Sequence, residues 1–352
     1  MPEPPRIAAI DVLRGVAILG VAGLHVSWRW IQELPLLDVR TRPLIVLNLF
    51  FTFGAPLFLA LSAAALSLRY RERFASLADF IGFLRRRAVQ LLPAYVLWSI
   101  TSAASHDVTL VLDPLRVASL LRYGTGDAQL YFVPLLFQLY LVWPLLQPMV
   151  AAVSRIRHAI LLLAGGAAIS WAAAYQYIGT PLLLVLFLVY VCTGVAAAPL
   201  LAGGKMRSAA PAGAAAVATV LSFAVFVDDF FDTLIAYPTK DAAILASMIF
   251  QTVPMIYIVA FTLLGALAAP ALASSWAGRA LAALGRASYG IFLSHLLVAR
   301  FLVFPLLLGD ADAGTPVVPM IVAWLATVVL SHAFTLALAS GRWTSWIVGA
   351  RA

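Results

Sequence analysis

The chain alternates long apolar windows with short polar or Pro/Gly-rich breaks. The windows run from Ile7 to Trp28, Leu44 to Leu68, Phe80 to Ser102, Leu130 to Val150, Ala159 to Tyr175, Pro181 to Leu201, Ala212 to Val227, Ala242 to Ala268, Tyr289 to Leu308 and Val317 to Leu338. An α-helix needs about 20 apolar residues to cross a hydrocarbon core about 30 Å thick, and only helices or closed barrels satisfy their backbone groups there. The pattern therefore predicts an all-α, polytopic membrane helical bundle of about ten transmembrane helices. An even count puts both termini on one face. The connections are too short for a separate soluble domain, so residues 1–352 are expected to form one integral membrane domain. The stretch Asp113–Arg122, in the longest polar connection, is amphipathic and could lie along the interface or dip between helices; its simplest reading is a surface loop.

Lysine and arginine orient the bundle. The face bearing the N-terminus carries Arg6, Arg69, Arg71, Arg73, Arg85, Arg86, Arg87, Arg155, Arg157, Lys205, Arg207, Arg279, Arg286, Arg342 and Arg351; the opposite face carries Arg29, Arg40, Arg42, Arg116, Arg122 and Lys240. Basic loops stay cytoplasmic, so both termini are expected in the cytoplasm. High alanine and arginine usage with few lysines points to a GC-rich bacterial genome, and the membrane is expected to be a bacterial inner membrane. Composition agrees. The 352 residues are 63% hydrophobic and 11% charged, with a mean hydropathy of +0.99, which excludes an ordinary soluble enzyme. The net charge of +8 forms no basic stripe interleaved with exposed aromatics, so no nucleic-acid partner is expected. Cys192 is the sole cysteine and sits in an apolar run, which excludes a disulfide framework and leaves no thiolate metal site. Asp11 and Arg14 interrupt the first apolar stretch, which reads as a retained helix rather than a signal peptide.

Those two charges are themselves informative, because an ionisable side chain inside a membrane costs roughly 2.5–3.5 kcal/mol on insertion scales. Asp11, Arg14 and His25 lie at about 0°, 300° and 320° on a helical wheel, within one arc about 60° wide. Arg14 and His25 are separated along the axis by roughly 16 Å. Two readings fit: Asp11 and Arg14 neutralise each other while His25 bonds a neighbouring helix, or the stripe is a reaction path.

Motifs along the chain bear on that choice. Asp11-Val-Leu-Arg14-Gly15 followed by an apolar run to His25 resembles the opening of the acyltransferase family 3 membrane proteins, whose signature is an arginine, ten residues and a histidine. Pro56-Leu-Phe-Leu-Ala-Leu-Ser62 is similar to that family's second span, with Ala63 where a glycine usually follows. Arg85-Arg-Arg-Ala-Val-Gln-Leu-Leu-Pro93-Ala-Tyr95 resembles its third, with Gln90 in place of the second of two arginines. Tyr131-Phe-Val-Pro-Leu-Leu-Phe-Gln138-Leu-Tyr140 and Leu284-Gly-Arg-Ala-Ser288-Tyr-Gly-Ile-Phe-Leu-Ser294-His295 resemble its fourth and ninth spans.

The resemblance implies transfer of an acyl group, often acetyl, from cytoplasmic acyl-CoA as co-substrate to a hydroxyl of a glycan, lipid-linked sugar or glycosylated metabolite. The residues suit that chemistry. Imidazole, with an unperturbed pKa of about 6.5, can take a hydroxyl proton near neutral pH or carry the acyl group itself, which makes His25 the candidate catalytic residue. Guanidiniums hold phosphates through charge-assisted hydrogen bonds, so Arg86 and Arg87, with Arg14 oriented by Asp11, are the candidate donor-binding set. Positive-inside topology alone also places arginines there. Ser62, Gln90, Tyr131, Gln138 and His295 are candidates to line the cavity, with helix packing as the competing reading. No Gly-x-Ser-x-Gly elbow, phosphate-binding loop or His-Glu-x-x-His zinc helix occurs, and no metal is expected. A transporter or flippase that moves a glycan or lipid-linked sugar without acyl transfer is the alternative.

Overall fold

In the computed structural model, the described residues are 7–36, 38–70, 74, 76–152, 156–176, 183–203, 210–236, 252–308 and 316–349. They form helices and connections, with no strand among them. In chain order the helices are α1 (Ala8–Glu33), α2 (Thr41–Phe51), α3 (Gly54–Arg69), α4 (Leu77–His106), α5 (Pro114–Tyr123), α6 (Phe132–Ala152), α7 (Ile156–Gln176), α8 (Leu183–Leu186) and α9 (Leu188–Leu201). Then follow α10 (Ala210–Ala236), α11 (Thr252–Leu272), α12 (Trp276–Arg286), α13 (Ser288–Val298), α14 (Phe304–Leu307) and α15 (Val317–Ser340). A π-helical stretch, Ala299–Val303, joins α13 to α14.

Seven helical segments among the described residues are long and apolar enough to cross a membrane, and Phe132–Pro148 and Leu188–Leu201 are shorter apolar helices. The window read from Leu44 to Leu68 corresponds to one such segment, Thr41–Arg69, interrupted where α2 gives way to α3. There the hydroxyl of Thr52 donates to the Leu49 carbonyl at 2.7 Å, closing off the end of α2. The window beginning at Ala242 overlaps the described residues only from 252 onward.

Local chemistry explains several boundaries. At the start of α4, the Ser76 hydroxyl accepts from the Asp79 amide at 3.1 Å and donates to the Asp79 carboxylate at 2.8 Å, so cap and first turn secure each other. The stretch after Asp113, read as a surface loop, is instead a ten-residue helix. Asp113 accepts from the Leu115 amide at 2.8 Å, Pro114 occupies the first turn, and Gly124 closes the helix with φ 69°. Loop composition was visible in the sequence, but those start and stop signals outweighed it. No residue of α5 is fully buried, so its place on an accessible face stands.

The chain divides into two compact units. The first comprises Met1–Leu24, Ile45–Glu72 and Leu146–Arg286; the second comprises His25–Leu44, Arg73–Leu145 and Ala287–Ala352. The boundary falls within α1, which is itself continuous.

Small residues let backbones touch inside the first unit. Gly15 on α1 packs on Leu281 of α12, where an added Cβ would meet the Leu281 carbonyl oxygen and lie 2.7 Å from its carbonyl carbon. Gly285 lies against Asp11, 3.0 Å from the Gly15 amide by the same construction. Gly194 of α9 abuts the Ala60 backbone of α3, and Gly166 of α7 abuts Cys192. Apolar side chains gain little from meeting each other rather than lipid, so close van der Waals packing of this kind and interhelical hydrogen bonds hold such helices together. One such bond runs from the Tyr257 hydroxyl to the Phe50 carbonyl at 2.7 Å.

In the second unit, α4 is the spine. Tyr95 donates to the Leu121 carbonyl at 2.7 Å, and Trp98 donates to that of Ile347 at 2.8 Å. Tyr289 on α13 donates to the Leu91 carbonyl at 2.8 Å, and Gly126 packs on the Ser99 backbone. These anchors tie α4 to the segment before α6, to α13 and to the turn at Ile347.

Candidate active site

The residues singled out from the sequence fall into two groups. Asp11 and Arg14 belong to the first unit, one helical turn apart on α1. A guanidinium nitrogen of Arg14 lies 3.8 Å from the Asp11 carboxylate, with the arginine side chain 37% exposed and the aspartate 14%. This is a loose ion pair at the edge of contact distance, so Asp11 biases the direction of Arg14 only weakly. The Gly15 and Gly285 contacts hold α1 against α12 at this point, which explains why glycine stands next to the arginine and in the Leu284-Gly-Arg sequence. Ser62 also lies in this unit; it is half-buried, and its hydroxyl donates to the Phe58 carbonyl on its own helix at 2.9 Å.

Arg86 and Arg87 belong to the second unit, on α4. Arg86 is exposed. Arg87 is half-buried, its guanidinium 5.6 Å from the centre of the Phe83 ring and 5.4 Å from that of Tyr140. Cation–π contact with two rings holds the Arg87 guanidinium, and among the described residues Arg86 shows no such ring contact. Gln90, one turn further along, is half-buried, as are Tyr131 and Gln138. Tyr131 is not within α6 but caps it, its carbonyl accepting from the Leu135 amide at 3.2 Å.

His25 and His295 come together. On α1, His25 is half-buried, and its ring centre is 5.4 Å from that of His295 on α13, the planes inclined at 40°. His295 is fully buried. Its Nδ1 lies 2.8 Å from the Phe292 carbonyl oxygen and 3.2 Å from that of Ile291, and its Nε2 has no hydrogen-bond partner among the described residues. Sequence spacing marks each histidine separately, but their pairing depends on tertiary packing between elements 270 positions apart, a count read as 295 minus 25.

One polar cluster in the second unit escaped the sequence reading. Arg300, in the π-helical stretch, donates to the Ser105 hydroxyl at 2.6 Å and to the Asp127 carboxylate at 3.1 Å, and its guanidinium lies 2.8 Å from Nε2 of His106. The usable signal was an arginine inside the otherwise apolar window from Tyr289 to Leu308. Among the described residues no group of His, Cys, Asp or Glu side chains could hold a metal ion.

The family model for an acyltransferase domain, of acyltransferase family 3, matches residues 7–340. The chain belongs to acyltransferase family 3. No curated protein and no solved structure matches it. Membership in acyltransferase family 3 accounts for the apolar helical architecture and places Asp11, Arg14, His25 and His295 all inside the matched segment.

Proposed function

We propose that the protein is a membrane O-acyltransferase that moves an acyl group, acetyl in the simplest case, from a coenzyme A thioester to a hydroxyl of a glycan, lipid-linked sugar or glycosylated metabolite. The observation that carries this reading is the half-buried His25, set eleven positions after Arg14 on one continuous helix and beside a second imidazole, in a chain of this family. The donor arrives on the cytoplasmic side of the inner membrane, with Arg86 and Arg87 on α4 as the groups that hold its phosphates by charge-assisted hydrogen bonds. In the first unit Asp11 keeps Arg14, a donor-binding residue, directed, with Ser62 as a polar group there; in the second unit Gln90, Tyr131 and Gln138 supply polar groups.

At His25 the chemistry is a transfer from sulfur to oxygen. His25 takes the acceptor's hydroxyl proton as the oxygen attacks the thioester carbonyl, the carbon–sulfur bond breaks, and the thiolate leaves. A general base of this kind contributes about 10²–10⁴-fold in rate. The reading is tested in sealed vesicles supplied with radiolabelled acetyl-CoA and membrane glycolipid extract. Wild-type protein is expected to label the extract, and a His25→Ala variant that inserts and purifies normally is expected to lose at least 100-fold of that activity. Full labelling by His25→Ala, or movement of sugar across the membrane with no acyl donor present, would overturn the reading.

A further inference from the structure

His295 presents an arrangement that packing alone does not require. Carbonyl oxygens only accept hydrogen bonds, so the Nδ1 that faces those of Phe292 and Ile291 carries the proton. In a neutral imidazole the other nitrogen is then a bare lone pair. That Nε2 is sealed from solvent and has no partner among the described residues, and a buried acceptor left in this state costs about 1–3 kcal/mol. A histidine serving only to fill space would carry this cost for no return, since an apolar side chain of the same size avoids it.

The ring beside it is His25. An imidazole nitrogen lies roughly 1.2 Å from its ring centre, so centres 5.4 Å apart allow facing nitrogens to approach about 3 Å, within hydrogen-bond range. Contacts of this sort are often loose before substrate binds and tighten in the reacting complex.

We propose that His295 is a positioning residue for His25, its Nε2 accepting a hydrogen bond from the His25 N–H when the opposite His25 nitrogen takes the acceptor's proton. This rests on the transferase reading above. The acceptor O–H bond breaks and its proton passes to His25; the oxygen bonds the acyl carbon as the carbon–sulfur bond breaks; the proton then returns from His25 to the thiolate to give free coenzyme A. His295 fixes which His25 nitrogen faces the hydroxyl and stabilises the imidazolium in between. It touches no substrate atom. The logic is that of a third group orienting a catalytic base, with a backbone-tethered imidazole in place of a carboxylate.

The discriminating variants are His295→Asn and His295→Gln. Asparagine keeps a donor for the Phe292 carbonyl but does not reach the Nε2 position; glutamine places an amide oxygen there. Steady-state kinetics with acetyl-CoA should show kcat lowered about 100-fold in His295→Asn, KM for the donor within about twofold of wild type, and at least a tenfold recovery of kcat in His295→Gln. Wild-type kcat in His295→Asn, or equal loss in both variants, would overturn the proposal and leave His295 a packing residue. Retention of transfer by His25→Ala would instead overturn the transferase reading itself, so the two failures are distinguishable.

Discussion

Replacing Gly15 by alanine puts one methyl group into a place where two helix backbones already touch. The added Cβ would meet the Leu281 carbonyl oxygen and lie 2.7 Å from the carbonyl carbon and 3.0 Å from Cα of the same residue. All three are backbone atoms of α12, so no rotamer change relieves the clash and the two helix backbones themselves must move apart. Overpacking of that kind typically costs about 1–3 kcal/mol, a factor of roughly 5 to 150 in the folding equilibrium. The same substitution at Gly165 on α7, with nothing within 4 Å of the new Cβ, only removes glycine's backbone freedom. It should leave stability unchanged or raise it by up to about 1 kcal/mol. Thermal unfolding of purified protein in one detergent, followed by loss of helical circular dichroism, compares the two. Gly15→Ala should melt below wild type and Gly165→Ala at or above it, with the donor KM raised only in Gly15→Ala because Asp11 and Arg14 ride on the displaced helix. Equal melting temperatures for the two variants would refute the close contact of α1 with α12.

Other substitutions probe the two charged clusters. Asp11→Asn removes a partly exposed ion pair 3.8 Å long, worth under about 1 kcal/mol, so donor KM should rise no more than about fivefold with kcat unchanged; Arg14→Met should raise it further, and an unchanged KM there would take Arg14 off the donor path. Arg300→Met leaves the Asp127 carboxylate, which is 6% exposed, with only the Ala128 amide and His106 beside it among the described residues. The loss of stability should fall below the ~3–5 kcal/mol of a fully buried pair because Arg300 itself is 27% exposed. The double variant Arg300→Met with Asp127→Asn should recover most of that loss, and unfolding measurements showing no recovery would contradict the pairing.

Hydropathy made the helical class and most of the long apolar segments legible, because the membrane's demand for about 20 apolar residues is written directly into composition. The charged stripe of Asp11, Arg14 and His25 was legible for the same reason: charges stand out where charges are expensive. What stayed hidden depends on contacts between distant parts of the chain. Gly15 and Gly285 read as ordinary small residues until the backbones they admit are seen. His295 read as a lining residue, and only packing shows its Nε2 unpartnered beside His25. Arg300 was absorbed into an apolar window, although its partners Ser105, His106 and Asp127 are separately visible as polar residues near one end of α4. The helix at Pro114 followed cap signals that were present in the sequence and outvoted by polarity.

The central claim is that a thioester bound along α1 presents its acyl carbon to His25. Chloroacetyl-CoA tests it directly, since a nucleophilic nitrogen held at that carbon's neighbour displaces chloride and keeps a stable adduct. After trypsin, mass spectrometry should find the adduct on the peptide spanning residues 15–29, at His25, and excess acetyl-CoA should protect it. Inactivation with the adduct elsewhere, or with an unmodified 15–29 peptide, would contradict the account.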